Sequence, residues 1–201
     1  RSKKAVPLKA VFTALPQRLP CFRLTEPLTG ANSSTQYNAA IGYTALASGQ
    51  KETIKVEIGL REPLLLPALE GAAQTLLLDP VSRNRLLNPV PVRCLSKSEA
   101  FAEKFRAALS RREVAVRDFF DLDYAVRKLG LHPDDAELIG LVRQKLAVRG
   151  NEPVDVSAAR LAELKQQVGA QLQPVLRGVD FAEFEVERAF QLVSTMADKL
   201  R

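Results

Sequence analysis

The sequence predicts an α+β protein, with a partial mixed sheet within residues 1–95 and an all-helical domain over residues 96–201. Three observations carry this reading. Residues 51–60 alternate strictly: Ile54, Val56, Ile58 and Leu60 share one face, and Thr53, Lys55 and Glu57 the other, the period of a strand with one covered side. From Ser96 onward, apolar residues recur at helical spacing between recognisable start and stop signals. Before that point prolines interrupt the chain repeatedly, at positions 7, 16, 20 and 27 and again at 63, 67, 80, 89 and 91, so long helices are not expected there.

Taken in order, Gly30 to Ser34 reads as an exposed loop. Residues 36–46 and 51–60 read as two strands joined by a turn over Ala47 to Gln50. The apolar but irregular stretch 62–94 suits short helical turns and a strand over Val90 to Cys94. Ser96, with Glu99 three residues later, forms a capping box that opens a helix carrying Phe101, Phe105, Ala108 and Leu109 on one stripe. A second helix over about 114–129 stops at Gly130, a third spans roughly 134–149, a fourth about 157–172 opened by Ser157, and a fifth runs from about 180 to the end.

Composition excludes several classes. With 201 residues, 46% hydrophobic and 26% charged, the chain can bury a core. No apolar run approaches the roughly 20 residues that span a bilayer, so no membrane role is expected. The absence of a secretion signal and two distant cysteines predict a reduced, cytoplasmic setting. The single histidine, His132, rules out a His-rich zinc site, and it reads as a capping or surface residue beside Pro133. No phosphate-binding GxxxxGK[ST], GxGxxG or HExxH pattern is present. The net charge of +6 is uneven: residues 1–112 carry 17 Lys and Arg against 8 Asp and Glu, whereas residues 113–201 carry 12 against 15. A basic front half suits a polyanion or nucleotide partner. The chain opens on Arg1 and its one methionine is Met196, which predicts that translation started upstream.

Three places could carry chemistry. Glu57, beside Lys55 on the polar strand face, could offer an oxygen to Mg2+, although an exposed cross-strand pair is the commoner use of such a residue. Lys104 sits on the shoulder of its helix's apolar stripe, where it could aim its ammonium at phosphate oxygens or simply snorkel. In the stretch from Arg117 to Tyr124, Asp118 lies at the edge of the stripe made by Phe119, Leu122, Val126 and Leu129. It should be half-buried, need a partner and face the Lys104 helix. Asp121 should point to solvent and pair with Arg117 one turn away. Asp121 and Asp123 point about 160° apart on a helix, so they cannot share one metal ion.

Residues 99–124 also carry a family pattern: Glu103, Lys104 and Ala107 in one helix, the basic pair Arg111 and Arg112, then Arg117, Asp118, Asp121 and Tyr124 in the next. With the upstream strand IKVEIG and the following Arg61-Glu62-Pro63, this resembles the AbiEii family of nucleotidyltransferase toxins over residues 35–130. The resemblance implies a nucleotidyltransferase-like fold and transfer of a nucleotide from an NTP to RNA, with tRNA as acceptor, aided by Mg2+. It also implies a cognate antitoxin. It would make Lys104 the essential lysine on the nucleotide phosphates and Arg111 or Arg112 its basic follower. Asp118 would be an aspartate that activates the acceptor or orients Lys104; Lys55 would assist the phosphates, and Glu57 would be a metal carboxylate. The family's first motif, a Gly-(Gly/Ser)-(Thr/Ser) turn followed by paired acids, is absent from these 201 residues. Two expectations follow: an enzyme whose missing motif lies upstream of Arg1, or a catalytically inactive remnant that binds RNA or a protein.

Overall fold

In a computed structural model, residues 5–31, 35–46 and 48–201 are described, with only the backbone for Ala5 and Val6. The α+β class holds. Two compact units divide the chain at Pro63 and Leu64, so residues 64–95 group with the helices that follow them.

The first unit begins with helix α1 (Ala5–Arg18) and continues into strands β1 (Phe22–Ala31), β2 (Gln36–Thr44) and β3 (Lys51–Gly59). The strands pair antiparallel in the order β1-β2-β3, and β2 meets β3 in unbroken register from Gln36 opposite Gly59 to Thr44 opposite Lys51. The helix and β1 are corrections to the sequence reading. Pro7 falls in the first turn of α1, where the missing N–H has no intrahelical partner anyway, and Pro16 falls in the last turns, where one bond is lost near the end. Pro27 is tolerated because β1 is an edge strand whose register shifts between Glu26 and Thr29, so an absent donor breaks no regular ladder. The loop expected over 30–34 is strand at Gly30 and Ala31; residues 32–34 lie outside the described residues, as does Ala47 of the expected turn. Phe12, Leu28, Tyr37 and Ala39 form a small core, against which Val56, Ile58 and Leu60 pack as the alternation of β3 predicts. Ile54, at the far end of that face, is 43% exposed.

The second unit opens with a two-stranded antiparallel ribbon, β4 (Leu69–Ala73) against β5 (Val90–Cys94). The short helical turns expected across 62–94 are not there, because the prolines remove donors that helical turns need. The connection tightens instead at Asp79, whose carboxylate accepts from the N–H groups of Val81 and Ser82, with Arg83 left-handed at φ 62°. Seven helices are numbered through the described chain. Those of this unit are α2 (Lys97–Ser110), α3 (Val116–Leu129), α4 (Ala136–Leu146), α5 (Ala158–Gln167), α6 (Gly178–Ala182) and α7 (Val186–Leu200).

Ser96 caps α2 by accepting from the Glu99 N–H, and Ser157 caps α5 in the same way. Gly130 ends α3 in the left-handed conformation at φ 66°, with the Leu131 N–H returning to the Ala125 carbonyl. Two long helices of the sequence reading are split. The fourth runs out as a π-helical turn over Val168–Leu172. The fifth is broken between α6 and α7, where Phe184 leaves the helix to bury edge-on against Phe120. Phe105, Leu109, Phe119, Leu122, Leu164, Val193 and Met196 centre one continuous core joining α2, α3, α5 and α7.

A lysine held between two aspartates

The stripe of α3 buries Phe119 and Leu122 completely, which fixes the rotation of the helix about its axis. That rotation turns Asp118 inward, only 4% exposed, and a carboxylate at such depth must be partnered. Sequential helices joined by a short turn pack together, and α2 supplies the partner. Lys104 Nζ lies 3.2 Å from Asp118 Oδ1, and Arg111, just past the end of α2, places Nη1 2.8 Å from Asp118 Oδ2. The expected meeting of Lys104 and Asp118 is therefore present, with Asp118 more deeply buried than a half-buried edge position.

Asp121 departs from the sequence reading. Its Oδ2 stands 2.6 Å from Lys104 Nζ, closer than Asp118 does, and among the described residues Arg117 makes no ion pair with it. Residues three apart on a helix lie on one side of it, so a single ammonium from a neighbouring helix can reach both. Wheel position alone gave Asp121 to its own helix; packing of α2 against α3 gives it to Lys104. Burial disfavours the Lys104 ammonium, but the hydrogen bond and charge of Asp121 and the charge of Asp118 outweigh it, holding the group above its ordinary value. Lys104 is thus firmly charged, half-exposed and clamped by two acceptors. Asp123, by contrast, faces the other way and binds Arg127 at 2.8 Å and Arg188 at 2.7 Å, so Asp121 and Asp123 do not converge.

Arg111 and Arg112 occupy the turn between α2 and α3. The turn is held from behind by Arg160, a buried residue whose Nη2 donates to the Arg111 carbonyl at 2.6 Å. Gln167 adds a second brace, accepting from the Val116 N–H and donating to the Val114 carbonyl. Two open cavities flank the turn and share Arg111 and Arg112. One, of about 530 Å³, is completed by Glu113, Val114, Ala115, Arg117 and Gln171. The other, of about 370 Å³, is completed by Glu152 to Asp155 and Arg160.

Lys55 and Glu57 belong to the first unit, exposed on the polar face of β3, with Asn38 opposite Glu57 and Ala40 opposite Lys55. Among the described residues no three His, Cys, Asp or Glu side chains gather where a metal ion could sit, so Glu57 as a metal ligand rests on resemblance alone. No described helix is long and apolar enough to cross a membrane.

Sequence reasoning missed a second buried charge centre. Glu99 does not fold back to complete its capping box. Its side chain, fully buried, accepts from the Leu65 and Leu66 N–H groups at 2.9 Å each and pairs with Lys145 Nζ at 2.8 Å. Burial pushes this carboxyl up, yet Lys145 and the two backbone donors outweigh it, and Glu99 is held below the ordinary glutamate range. No signal in the sequence marked it, because Glu99 lies well round the helix from the stripe of Phe101, Phe105, Ala108 and Leu109, and its burial comes from partners distant in the chain.

No curated protein is similar enough to match the chain. Among solved structures, an H. pylori protein designated a nucleotidyltransferase is 12% identical with a TM-score of 0.44; the match covers 89% of this chain and 66% of the other, just under two thirds of its length. The family model described as "Nucleotidyl transferase AbiEii toxin, Type IV TA system" matches residues 8–197, well beyond the span over which the motifs show the resemblance. A match across nearly the whole length places this chain in the AbiEii nucleotidyl transferase toxin family.

Proposed function

We propose that this protein is a cytoplasmic toxin that transfers a nucleotide from an NTP to RNA, with tRNA as the acceptor, and that Lys104 is the residue that meets the nucleotide phosphates. The carrying observation is the clamp of Lys104 between Asp118 and Asp121, with Arg111 on the far side of Asp118. A surface lysine that only adds solubility does not need a buried carboxylate beneath it. Here the fixed carboxylate keeps the ammonium charged and restricts where it can reach, which is the preorganisation that lets a cation stabilise developing charge in a transition state. Asp121, the more exposed of the two aspartates at 41% of its side chain against 6%, is the one that yields when triphosphate oxygens compete for Lys104. Asp118 stays as the positioning carboxylate that holds Lys104 and Arg111 together, and in this reading it either orients Lys104 or accepts the proton of the acceptor hydroxyl. Arg111 and Arg112 supply further cationic donors beside it. The resemblance also implies Mg2+, for which the described carboxylates do not assemble a site. Family membership in a type IV toxin–antitoxin system implies a cognate antitoxin.

The test uses the protein expressed from its whole reading frame, incubated with bulk tRNA, Mg2+ and each of the four α-labelled NTPs in turn. Labelled tRNA with one or more NTPs supports the reading. Tight tRNA binding with no label from any NTP contradicts transfer and returns the protein to the role of a non-catalytic binding module.

A further inference from the structure

Several arginines of the helical unit are held in ion pairs. Arg106 pairs with Glu103, Arg127 and Arg188 with Asp123, and Arg177 with Asp180. Arg112 and Arg117 are exposed and, among the described residues, make no ion pair; unlike the unit's other exposed arginines without an ion pair (Arg83, Arg85, Arg93, Arg143 and Arg149), they share one cavity. They line the same cavity of about 530 Å³ together with Arg111 and Gln171, with Glu113 as its one carboxylate. The neighbouring cavity has Arg111, Arg112 and Arg160 but also Glu152 and Asp155, so its charges more nearly cancel. The excess of positive charge lies on the Arg117 side.

We propose that the cavity lined by Arg111, Arg112, Arg117 and Gln171 seats the phosphodiester backbone of the acceptor RNA, with Arg112 and Arg117 as the two phosphate contacts. This rests on reading the protein as a transferase to RNA and specifies where that RNA lies. Three features favour a nucleic-acid backbone over a free nucleotide. The lining contains no aromatic side chain, and a bound nucleotide needs a surface on which its base can stack, whereas a backbone needs only donors. The cavity is open, and it carries two guanidinium groups outside any ion pair, Arg112 in the fixed turn and Arg117 in the first turn of α3, against the single carboxylate of Glu113. Arg111 links the cavity to the Lys104 clamp, since its guanidinium holds the same Asp118 that Lys104 binds. A strand held here would therefore present its end beside Lys104. Arg160 and Gln167 brace the turn from within, so the arginines are carried on a rigid support.

Fluorescence anisotropy of labelled tRNA, without NTP and across a salt series, tests this for the wild type and for the Arg112→Glu/Arg117→Glu double variant. Affinity should fall at least tenfold, and two lost single-strand phosphate contacts should reduce the slope of log affinity against log salt by about 1.4. Arg117→Gln alone should remove about half of that slope. Binding of a non-hydrolysable NTP, measured separately by equilibrium dialysis, should be unchanged in Arg117→Gln, whose residue has no part in the nucleotide contacts. Unchanged tRNA affinity and slope would overturn the proposal, as would loss of NTP binding with tRNA binding intact, which would make the cavity a nucleotide site. Because binding is read without turnover, a protein that fails to transfer nucleotides can still pass or fail this test.

Discussion

The two faces that carry candidate residues are built on different principles. On β3, Lys55 and Glu57 stand on an exposed strand face, and the alternation that places them there would hold for almost any polar residue at those positions. In the helical unit, Lys104, Asp118 and Asp121 are set by the burial of Phe105, Phe119 and Leu122, and Lys104 Nζ, both Asp118 oxygens and Asp121 Oδ2 have partners at 2.6–3.2 Å. The difference teaches that buried polar contacts, which are costly unless satisfied, locate a worked site better than a sequence pattern does.

That contrast predicts an ordered series of effects. The largest belongs to Glu99→Ala. It removes a buried carboxylate 2.8 Å from Lys145 and leaves the Leu65 and Leu66 N–H groups without their acceptor, so chemical denaturation should show a loss of about 3–5 kcal/mol. A loss under 1 kcal/mol would mean that the helical unit is no more tightly specified than the sheet. Asp123→Asn should come next, at about 2 kcal/mol, because a buried acceptor shared by Arg127 and Arg188 loses its charge.

The pH dependence follows from the same centre. The folded-state value of Glu99 lies below its ordinary 4.5, so the folded form holds its proton less tightly than the unfolded chain does. Its contribution is present in full above about pH 4.5 and is lost as the pH falls through the lower folded value. A thermal melt series from pH 7 to pH 3 should show the midpoint drop below pH 4.5, and Glu99→Gln should flatten part of that drop. Smallest of all, Lys55→Ala and Glu57→Ala should each change stability by no more than about 0.5 kcal/mol, since both are exposed strand residues. A change above 2 kcal/mol at either position would show that the polar face of β3 is engaged in a way its exposure does not suggest.

What the sequence made legible was local. The alternation of β3 gives its face and the bounds of the β2-β3 pair, Ser96 and Ser157 give helix starts, and Gly130 gives a helix stop, because each signal acts within a few residues. The meeting of Lys104 and Asp118 was legible too, since it needs only two helix stripes and a short turn. Edge-strand pairing and terminal helix positions let α1 and β1 absorb their prolines, and neither condition is visible in composition. Asp121 and Glu99 were misread for a shared reason. Each has an attractive partner within four residues, Arg117 in one case and the Ser96 backbone in the other. Each takes instead partners more distant in the chain, Lys104 for Asp121 and the Leu65–Leu66 backbone with Lys145 for Glu99.

The central claim, that the clamped Lys104 acts on the nucleotide phosphates, is met most directly by Lys104→Ala in a transfer assay with the wild type alongside. The side chain is 38% exposed and fills no core space, and Asp118 keeps Arg111, so the melting midpoint should move by only a few degrees. Losing a phosphate-directed charge should reduce transfer to tRNA by at least a hundredfold, in line with about 3 kcal/mol of lost transition-state stabilisation. Transfer that survives within a few-fold of wild type would contradict the account and leave Lys104 as a structural link between α2 and α3.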